Sequence, residues 1–386
     1  MKVFSNVVIA CVVVIFVAYS GLSSTQWSAA PGIPVMASTE GSHAHTLTAN
    51  GIGDAATLLP ADVEFKDLLP NLVLRNGEFL EAPQYTASGV QPQSVTMGDF
   101  NGDGRMDIAV VSYDCPREAN CGPGSVSILL GDGDGSFHYL KGYDTEPEPG
   151  VVVAGDFNDD GIPDLAVTSY VGNSVDIYLG NGDGTFRAEG EFKAAFGPTS
   201  MAAGDFNSDG NLDLVVNDSC ADAKCTAQGH TVSILLGNGD GTFQPPKPYT
   251  TGANPQAVAV ADLNGDHVLD LAVVSDTSGF GAVSVLLGNG DGTFQGYVNY
   301  GVGSGPEGIT LADFNGDGKE DIAVADNCGT GNCEGAISVL LGNGNGTFQP
   351  QAYYAVSGNP TRIAAADFNR DGKMDIVSSD IEDLNI

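Results

Sequence analysis

Short runs of alternating or continuous apolar residues recur along most of the chain. Alternating runs such as SVTMGDF (94–100) and AVAVADL (257–263) precede an acidic stretch, and apolar runs such as DIAVVS (107–112) and DLAVTS (164–169) follow one. Runs of this length, with period two or rich in β-branched residues, predict β-strands. The pattern therefore predicts an all-β chain built from repeated strand pairs.

A second apolar run, ending in a glycine-rich signature, follows each acidic stretch except the last. An apolar run that enters an Asn/Asp/Gly cluster and then Thr-Phe or Ser-Phe predicts a strand, a turn with positive φ and a return strand. Each unit then has four antiparallel strands in about 54 residues, the size of a propeller blade. The five copies are ILLGDGDGSF (128–137), IYLGNGDGTF (177–186), ILLGNGDGTF (234–243), VLLGNGDGTF (285–294) and VLLGNGNGTF (339–348).

The acidic stretches share a nine-residue pattern, D-x-N-x-D-G-x-x-D, with one-residue variants. Oxygens at positions 1, 3 and 5, the main-chain carbonyl at 7 and a carboxylate at 9 are ligands that Ca²⁺ prefers, and glycine at position 6 permits the sharp turn. An EF-hand would place Glu at position 12, where this chain has Val or Ser, so Asp at position 9 is the expected closing carboxylate. The pattern recurs at intervals of 49 to 57 residues, as Asp99–Asp107, Asp156–Asp164, Asp205–Asp213, Asp262–Asp270, Asp313–Asp321 and Asp367–Asp375.

These loops predict about six structural Ca²⁺ ions. In the fourth loop His267 replaces the glycine of position 6, so that site is the least certain. The candidate ligands, with position 7 acting through its carbonyl, are Asp99, Asn101, Asp103, Arg105 and Asp107; Asp156, Asn158, Asp160, Ile162 and Asp164; Asp205, Asn207, Asp209, Asn211 and Asp213; Asp262, Asn264, Asp266, Val268 and Asp270; Asp313, Asn315, Asp317, Lys319 and Asp321; and Asp367, Asn369, Asp371, Lys373 and Asp375.

The pairing of DFNGDG-x-x-D with LLGNGDGTF resembles the FG-GAP or VCBS repeats, which are similar to the calcium-binding propeller repeats of integrin α subunits. The resemblance covers about residues 68–379. It implies a β-propeller with calcium in the loops between the first and second strands of each blade. It implies neither one ligand nor one chemistry.

Blade number follows from where the repeats begin and end. The last unit runs from Pro360 to about 379 without a glycine-rich hairpin, and residues 71–85 look like a degenerate third and fourth strand. Joining these two half-blades closes the ring and removes open sheet edges. We expect six blades within residues 61–386, with seven as the alternative if the chain is truncated or residues 46–68 add strands.

The net charge of the chain restricts the classes of molecule that it can bind. The 386 residues include 53 Gly but only 14 Lys or Arg, and the formal net charge is −35. A surface this acidic repels nucleic acid and anionic membranes. The carboxylates of each metal-free loop also repel one another, so stability is expected to depend on calcium.

The N-terminal segment predicts an extracytoplasmic location. Lys2 precedes the apolar run 7–19, which fits the core of a signal peptide at residues 1–20 and is short for a membrane span. An uncleaved membrane anchor is the alternative. Residues 21–60 have the composition of a flexible linker. Secretion or display at the cell surface would place the loops where calcium is plentiful.

Six cysteines form three local pairs in the connections between second and third strands. They lie only in the first, third and fifth units, which favours duplication of a two-blade element and hence an even blade count. Disulfides within each connection are expected in an oxidising compartment; zinc binding is the alternative. The pairs are Cys115/Cys121, Cys220/Cys225 and Cys328/Cys333.

Strand order assigns the loops to two faces. In an antiparallel meander the 1–2 and 3–4 connections emerge at one end and the 2–3 and 4–1 connections at the other. We call the second end the variable face because its loops differ between units. Variable loops on a repeated scaffold are typical of recognition surfaces, although solvated loops are an equal alternative. The candidate ligand-binding residues there are Tyr113, Asp144, Glu146, Glu148 and Tyr170.

No catalytic motif stands out: a nucleophile elbow, a P-loop, an HExxH sequence and a Rossmann glycine pattern are all absent. We therefore expect a binding or adhesion module for an unknown protein or glycan rather than an enzyme. Membrane contact is expected only through the N-terminal segment. The alternatives are an extracellular carbohydrate-active lyase or hydrolase and a purely structural envelope protein.

Overall fold

The computed structural model describes residues 34–38, 44–48, 91–113, 123–194, 196–222, 224–277, 280–328, 335–356, 358–379 and 384–385. All regular structure in these ranges is β-strand, which confirms the all-β prediction. No helix in them is long and apolar enough to cross a membrane. The predicted signal peptide and residues 71–85 lie outside the described residues.

Five antiparallel four-stranded sheets succeed one another in the described part of the chain, each with its strands in sequence order. We call them blades 1 to 5. Blade 1 is β3 (Gln91–Gly98), β4 (Asp107–Tyr113), β5 (Ser125–Gly131) and β6 (Phe137–Asp144); blade 2 is β7 (Pro149–Gly155), β8 (Asp164–Ser169), β9 (Ser174–Gly180) and β10 (Phe186–Lys193); blade 3 is β11 (Met201–Gly204), β12 (Asp213–Cys220), β13 (Gln228–Leu235) and β14 (Lys247–Thr250); blade 4 is β15 (Pro255–Ala261), β16 (Asp270–Thr277), β17 (Phe280–Leu286) and β18 (Val298–Val302); blade 5 is β19 (Ser304–Ala312), β20 (Asp321–Cys328), β21 (Ala336–Leu340) and β22 (Ala352–Ala355).

A sixth sheet contains β23 (Arg362–Ala366), β24 (Asp375–Ser379) and the two-residue β25 (Leu384–Asn385). Its first two strands are those predicted for the final half-blade. The predicted partner, residues 71–85, is outside the described ranges, so closure of the ring stays a prediction. Separately, β1 (Pro34–Ser38) and β2 (Ala44–Thr48) form an antiparallel hairpin within the segment predicted as a linker, in a unit distinct from the blades.

The first strands of neighbouring blades contact one another in series, β3 with β7, β7 with β11, β11 with β15, β15 with β19 and β19 with β23. Hydrogen bonds reinforce two of these contacts: the Val152 N–H donates to Ser94 Oγ at 3.3 Å and the Val258 N–H to Ser200 Oγ at 3.2 Å. Since each first strand also pairs with only one strand of its own sheet, it forms the inner edge of its blade, as in a propeller.

In blades 1, 2, 4 and 5 a proline lies at or close to the start of the pairing between the first and second strands and is followed by a bulge. The register with the second strand shifts after Pro92, Pro149, Pro255 and Pro306. Proline lacks the N–H that a regular ladder would use, so it is tolerated at such a position. The bulge therefore lies within the ladder, near the end of the inner strand at the variable face.

Apolar side chains fill the space between adjacent blades. One cluster joins Ala109, Val111 and Ile128 of blade 1 to Leu165 and Val167 of blade 2, all at most 1% exposed. Equivalent clusters join blade 2 to 3, 3 to 4 and 4 to 5. The core of this unit is therefore a series of interfaces between sheets. Continuous apolar runs form the second strands because both sheet faces are covered there.

A clasp links each of the first four acidic loops to the glycine-rich turn of the next blade. The Gly292 N–H donates to the Phe206 carbonyl at 2.9 Å, and the rings of Phe206 and Phe294 meet edge to face with centroids 5.6 Å apart. The same N–H to carbonyl bond joins Gly184 to Phe100, Gly241 to Phe157 and Gly346 to Leu263.

Gly292 should be intolerant of any side chain. Its φ is 76°, and a Cβ there would lie 2.9 Å from Leu236 Cδ2 of the preceding blade. We expect Gly292→Ala to lower the free energy of unfolding by about 2 kcal/mol or more, because left-handed strain and overpacking add. Urea unfolding measures the change.

Gly135→Ala is the matched control, since Gly135 holds the same turn position in blade 1 with φ 91° and no described atom within 4 Å of its Cβ position. It should cost only about 1 kcal/mol of backbone strain. Equal losses in the two variants would contradict the close packing of the clasp.

Candidate calcium-binding loops and the variable face

In each acidic loop, main-chain N–H groups donate hydrogen bonds to side-chain oxygens of the same loop. In the first loop Asp99 Oδ1 accepts the N–H of Asp103 at 3.1 Å and Oδ2 that of Gly104 at 2.8 Å. Asn101 Oδ1 also accepts the Asp103 N–H at 2.9 Å, and Asp103 Oδ1 accepts the Arg105 N–H at 2.8 Å. The same four bonds occur in the other five loops.

The aspartate at position 9 has a structural role that sequence reasoning missed. Asp107 is fully buried; its Oδ2 accepts the Phe100 N–H at 2.9 Å and its Oδ1 the Gly131 N–H at 2.8 Å. It thereby joins the start of the loop to the start of the glycine-rich turn. Asp164, Asp213, Asp270 and Asp321 make the same two bonds, and Asp375 makes the first of them.

Burial and neighbouring charge raise the pKa of the position-9 carboxyls in the first five loops. Burial raises the pKa of Asp164, Asp213 and Asp270 to about 6, although two main-chain hydrogen bonds favour the charged form. The aspartates at positions 1 and 5 of the same loop raise it further. Three carboxylates of each of these loops thus lie close enough to repel one another.

The donor chemistry of the loops fits a hard cation. Each offers carboxylates at positions 1, 5 and 9, an amide oxygen at 3 and a main-chain carbonyl at 7, all of them oxygen ligands suited to Ca²⁺. Nowhere among the described residues do three Asp, Glu, His or Cys side chains converge as a complete metal site by themselves. The Asn and main-chain oxygens would therefore be needed as well.

The fourth loop keeps the common geometry despite its histidine. His267 adopts φ 68°, and its N–H donates to Asp262 Oδ2 at 2.7 Å, as glycine does in the other loops. The imidazole Nδ1 lies 3.7 Å from the same oxygen, and the side chain is otherwise almost fully exposed. A positive φ is energetically unfavourable for histidine, but the hydrogen bonds of the loop are unchanged.

On the variable face, the disulfide Cys220–Cys225 closes the 2–3 connection of blade 3, with Cα atoms 4.8 Å apart. This confirms one of the three predicted pairs. Cys115, Cys121 and Cys333 lie outside the described residues, as does the side chain of Cys328. Tyr170 of blade 2 packs on the disulfide; its hydroxyl is 3.4 Å from Cys220 Sγ and 3.3 Å from Cys225 Sγ.

The residues predicted to bind a ligand are distributed along the junction of blades 1 and 2. Asp144 and Glu146 are exposed, and Tyr113 and Glu148 are half-buried. The Tyr170 N–H donates to the Glu148 carbonyl at 3.0 Å, which brings these two together. Part of the Tyr170 side chain thus packs between blades. A ligand-binding role for the five predicted residues stays a prediction.

Three buried carboxylates beneath this face were not singled out from the sequence. Asp218 receives hydrogen bonds from Thr231 and Ser233, and Asp326 Oδ2 receives one from Ser338 Oγ at 2.5 Å. Asp176 is the third. Aligning the repeats would have revealed them, because Asp218 and Asp326 replace Ser112, Ser169 and Ser275 of the other described blades.

Repeated four-stranded meanders, inner first strands and acidic 1–2 loops together define a β-propeller. The chain belongs to the FG-GAP repeat family. The FG-GAP-like repeat matches residues 156–216, 217–273, 262–324 and 313–378, and the FG-GAP repeat matches residues 92–129. No curated protein matches the chain.

Solved structures share the fold at low sequence identity. A protein from Lactobacillus plantarum matches with a TM-score of 0.53 and 12% identity, covering 78% of this chain and 85% of that chain. The periplasmic gluconolactonase PpgL of Pseudomonas aeruginosa matches with a TM-score of 0.50 and 15% identity, covering 71% and 72%. Such likeness shows the fold alone.

Replacing His267 by glycine should stabilise the fourth loop. The substitution removes the cost of a left-handed non-glycine residue, so we expect the free energy of unfolding to rise by about 1 kcal/mol. The reverse change at the same position of the fifth loop, Gly318→His, should cost about as much; Gly318 has φ 80°. Urea unfolding in excess calcium measures both. Destabilisation by His267→Gly would show that the imidazole itself supports the loop.

Asp326 should make stability depend on pH. Burial raises its pKa to about 7 from the usual 3.8. The contribution of Asp326 to the free energy of unfolding is therefore greatest below pH 3.8 and is lost as the pH rises through about 7. The free energy of unfolding falls over this range by at most about 1.4 kcal/mol per pH unit. Asp326→Asn should be more stable than the wild type at pH 8 and lose this advantage near pH 4. Urea unfolding at several pH values measures the difference, and an advantage independent of pH would contradict the assignment.

Proposed function

We propose that this protein is a secreted or surface-displayed calcium-binding propeller that works as a binding or adhesion module, with calcium in a structural role. One observation carries the proposal: six acidic loops share one hydrogen-bond pattern, whereas the loops of the variable face differ in length and composition. Repetition on one face supports a scaffold role, and variation on the other supports recognition.

Calcium would be held by the oxygens at loop positions 1, 3, 5, 7 and 9. Bound there, it would neutralise the carboxylates at positions 1 and 5, which raise the pKa of the buried aspartate at position 9. In the first four loops the residue at position 2 donates its N–H to the buried aspartate, and its carbonyl accepts an N–H from the next blade. Phe100 makes both bonds, to Asp107 and from Gly184. Ordering a loop therefore orders the interface between two blades. A stabilising role follows more directly from this geometry than a catalytic one.

An oxidising location is supported by the Cys220–Cys225 disulfide, because such bonds persist mainly outside the cytosol. Calcium is also abundant there, so weak sites would be filled. The acidic composition, with a formal net charge of −35, directs the search for ligands toward proteins and glycans rather than nucleic acid.

Chelation should destabilise the protein. We expect EGTA to lower the melting temperature measured by scanning calorimetry, since a site filled at 100 times its Kd contributes about 2.7 kcal/mol. Asp205→Asn with Asp209→Asn in the third loop should abolish one calcium site by titration calorimetry. Asp240→Asn, which removes an exposed charge from the glycine-rich turn of the same blade, should leave all sites intact. An unchanged melting temperature in EGTA would refute structural calcium.

Assays on glycan and protein arrays in the presence of calcium distinguish a binding module from an enzyme. Retained binding without chemical change of the ligand is expected for a binding module. Release of shorter products from a polysaccharide would instead establish the carbohydrate-active enzyme considered above.

A further inference from the structure

Asp176 holds a buried oxygen that the fold leaves unused. It lies in the third strand of blade 2, between Val167 of the second strand and Glu191 of the fourth, and is 7% exposed. Its Oδ2 accepts the Glu146 N–H at 3.2 Å. Its Oδ1 is buried and has no hydrogen-bond partner among the described residues. An unpaired buried carboxylate oxygen is costly and calls for a donor.

The other blades show that the second oxygen is dispensable for folding. In blade 4 the Ser284 hydroxyl accepts the Gly252 N–H at 2.9 Å, and in blade 5 the Ser338 hydroxyl accepts the Gly303 N–H at 3.2 Å. These bonds are equivalent to that between Glu146 and Asp176. One hydroxyl oxygen therefore performs the structural task. The residue at this register in the other four complete blades is a serine: Ser127, Ser233, Ser284 and Ser338.

Two further carboxylates, those of Glu146 and Glu191, act on Asp176, and that of Asp144 lies near Tyr178 of the same strand. Glu191 is the direct partner of Asp176 on the neighbouring strand, and like charges opposite each other destabilise a sheet. Glu146 comes from the connection between blades 1 and 2, beside Asp144, whose carbonyl accepts the Tyr178 hydroxyl at 2.8 Å. Burial raises the pKa of Asp176 to about 6, and the charges of Glu146 and Glu191 act in the same direction.

One cation, Lys193, already pairs with Glu191, and its charge opposes the rise in the pKa of Asp176. Lys193 Nζ lies 2.5 Å from Glu191 Oε1 and 3.3 Å from the Gly172 carbonyl. The group thus contains four carboxylates and one ammonium. Asp144, Glu146 and Glu191 are exposed on the variable face, and Asp176 Oδ1 is buried beneath them.

We propose that Asp144, Glu146, Asp176 and Glu191, the blade 2 acidic cluster, bind a primary ammonium group whose N–H donates to Asp176 Oδ1. An ammonium fits better than a guanidinium. Oδ2 is already occupied by the Glu146 N–H, so Asp176 has no free pair of oxygens for a bidentate guanidinium, whereas an ammonium is a compact charge with three separate donors. The inference rests on the proposed binding role and names the chemistry of one ligand group.

The test is titration of the full-length protein in calcium at pH 7.5 with Nα-acetyl-lysine amide, glucosamine and Nα-acetyl-arginine amide, followed by NMR or calorimetry. Lysine amide, glucosamine or both should bind, which identifies the source of the ammonium, and arginine amide should bind about tenfold more weakly. Asp176→Ser should weaken ammonium binding by about tenfold or more, because a charge-assisted hydrogen bond is lost.

Asp176→Ser should also fold, since serine serves at this position in four other blades, and its melting temperature should equal or exceed that of the wild type. Asp132→Ser removes the same charge from an exposed turn on the opposite face and should leave binding unchanged. Equal binding by Asp176→Ser and wild type, equal binding of arginine amide, or no binding of either ammonium probe would overturn the proposal. The proposed binding function would still be supported in that case if Asp176→Ser retains binding on the arrays and a calcium-dependent melting temperature.

Discussion

The buried aspartate that ends each of the first five acidic loops organises the rest of the propeller. Asp107 and its equivalents give up hydration to enter the start of the second strand, and two main-chain N–H groups replace the water they lose. One of these N–H groups belongs to the loop and the other to the glycine-rich turn 16 to 24 residues further on. A single carboxylate thus joins both connections at one end of a blade.

The same carboxylate acts indirectly on the next blade. Phe100 donates its N–H to Asp107 and accepts the Gly184 N–H through its carbonyl, while its ring packs on Phe186. A peptide segment fixed on one side by a buried charge is therefore fixed on the other by a neighbouring sheet. This explains why the loop, the glycines and the phenylalanine repeat together, since altering one of them disturbs the partners of the other two.

The opposite end of the blades is under weaker constraint. There, serine or aspartate occupies one position of the second strand and one of the third in each complete blade, and serine is the residue at most of them. Asp176, Asp218 and Asp326 exceed what the fold requires, and each introduces a charge that burial opposes. Departures of this kind on a repeated scaffold separate features of one particular protein from those of its family.

The sequence by itself determined the strand order, the position of the acidic loops, the two faces and the disulfide of blade 3. These follow from alternation, turn residues and spacing, which act within one unit of the chain. Tertiary structure alone decided that the position-9 carboxylate bonds to a distant glycine, that Tyr170 packs on a disulfide of the next blade, and that Asp176 is left with an unpaired oxygen. Each of these depends on which surfaces meet when blades pack, and burial, which sets the cost of a charge, is a property of that packing rather than of any local pattern.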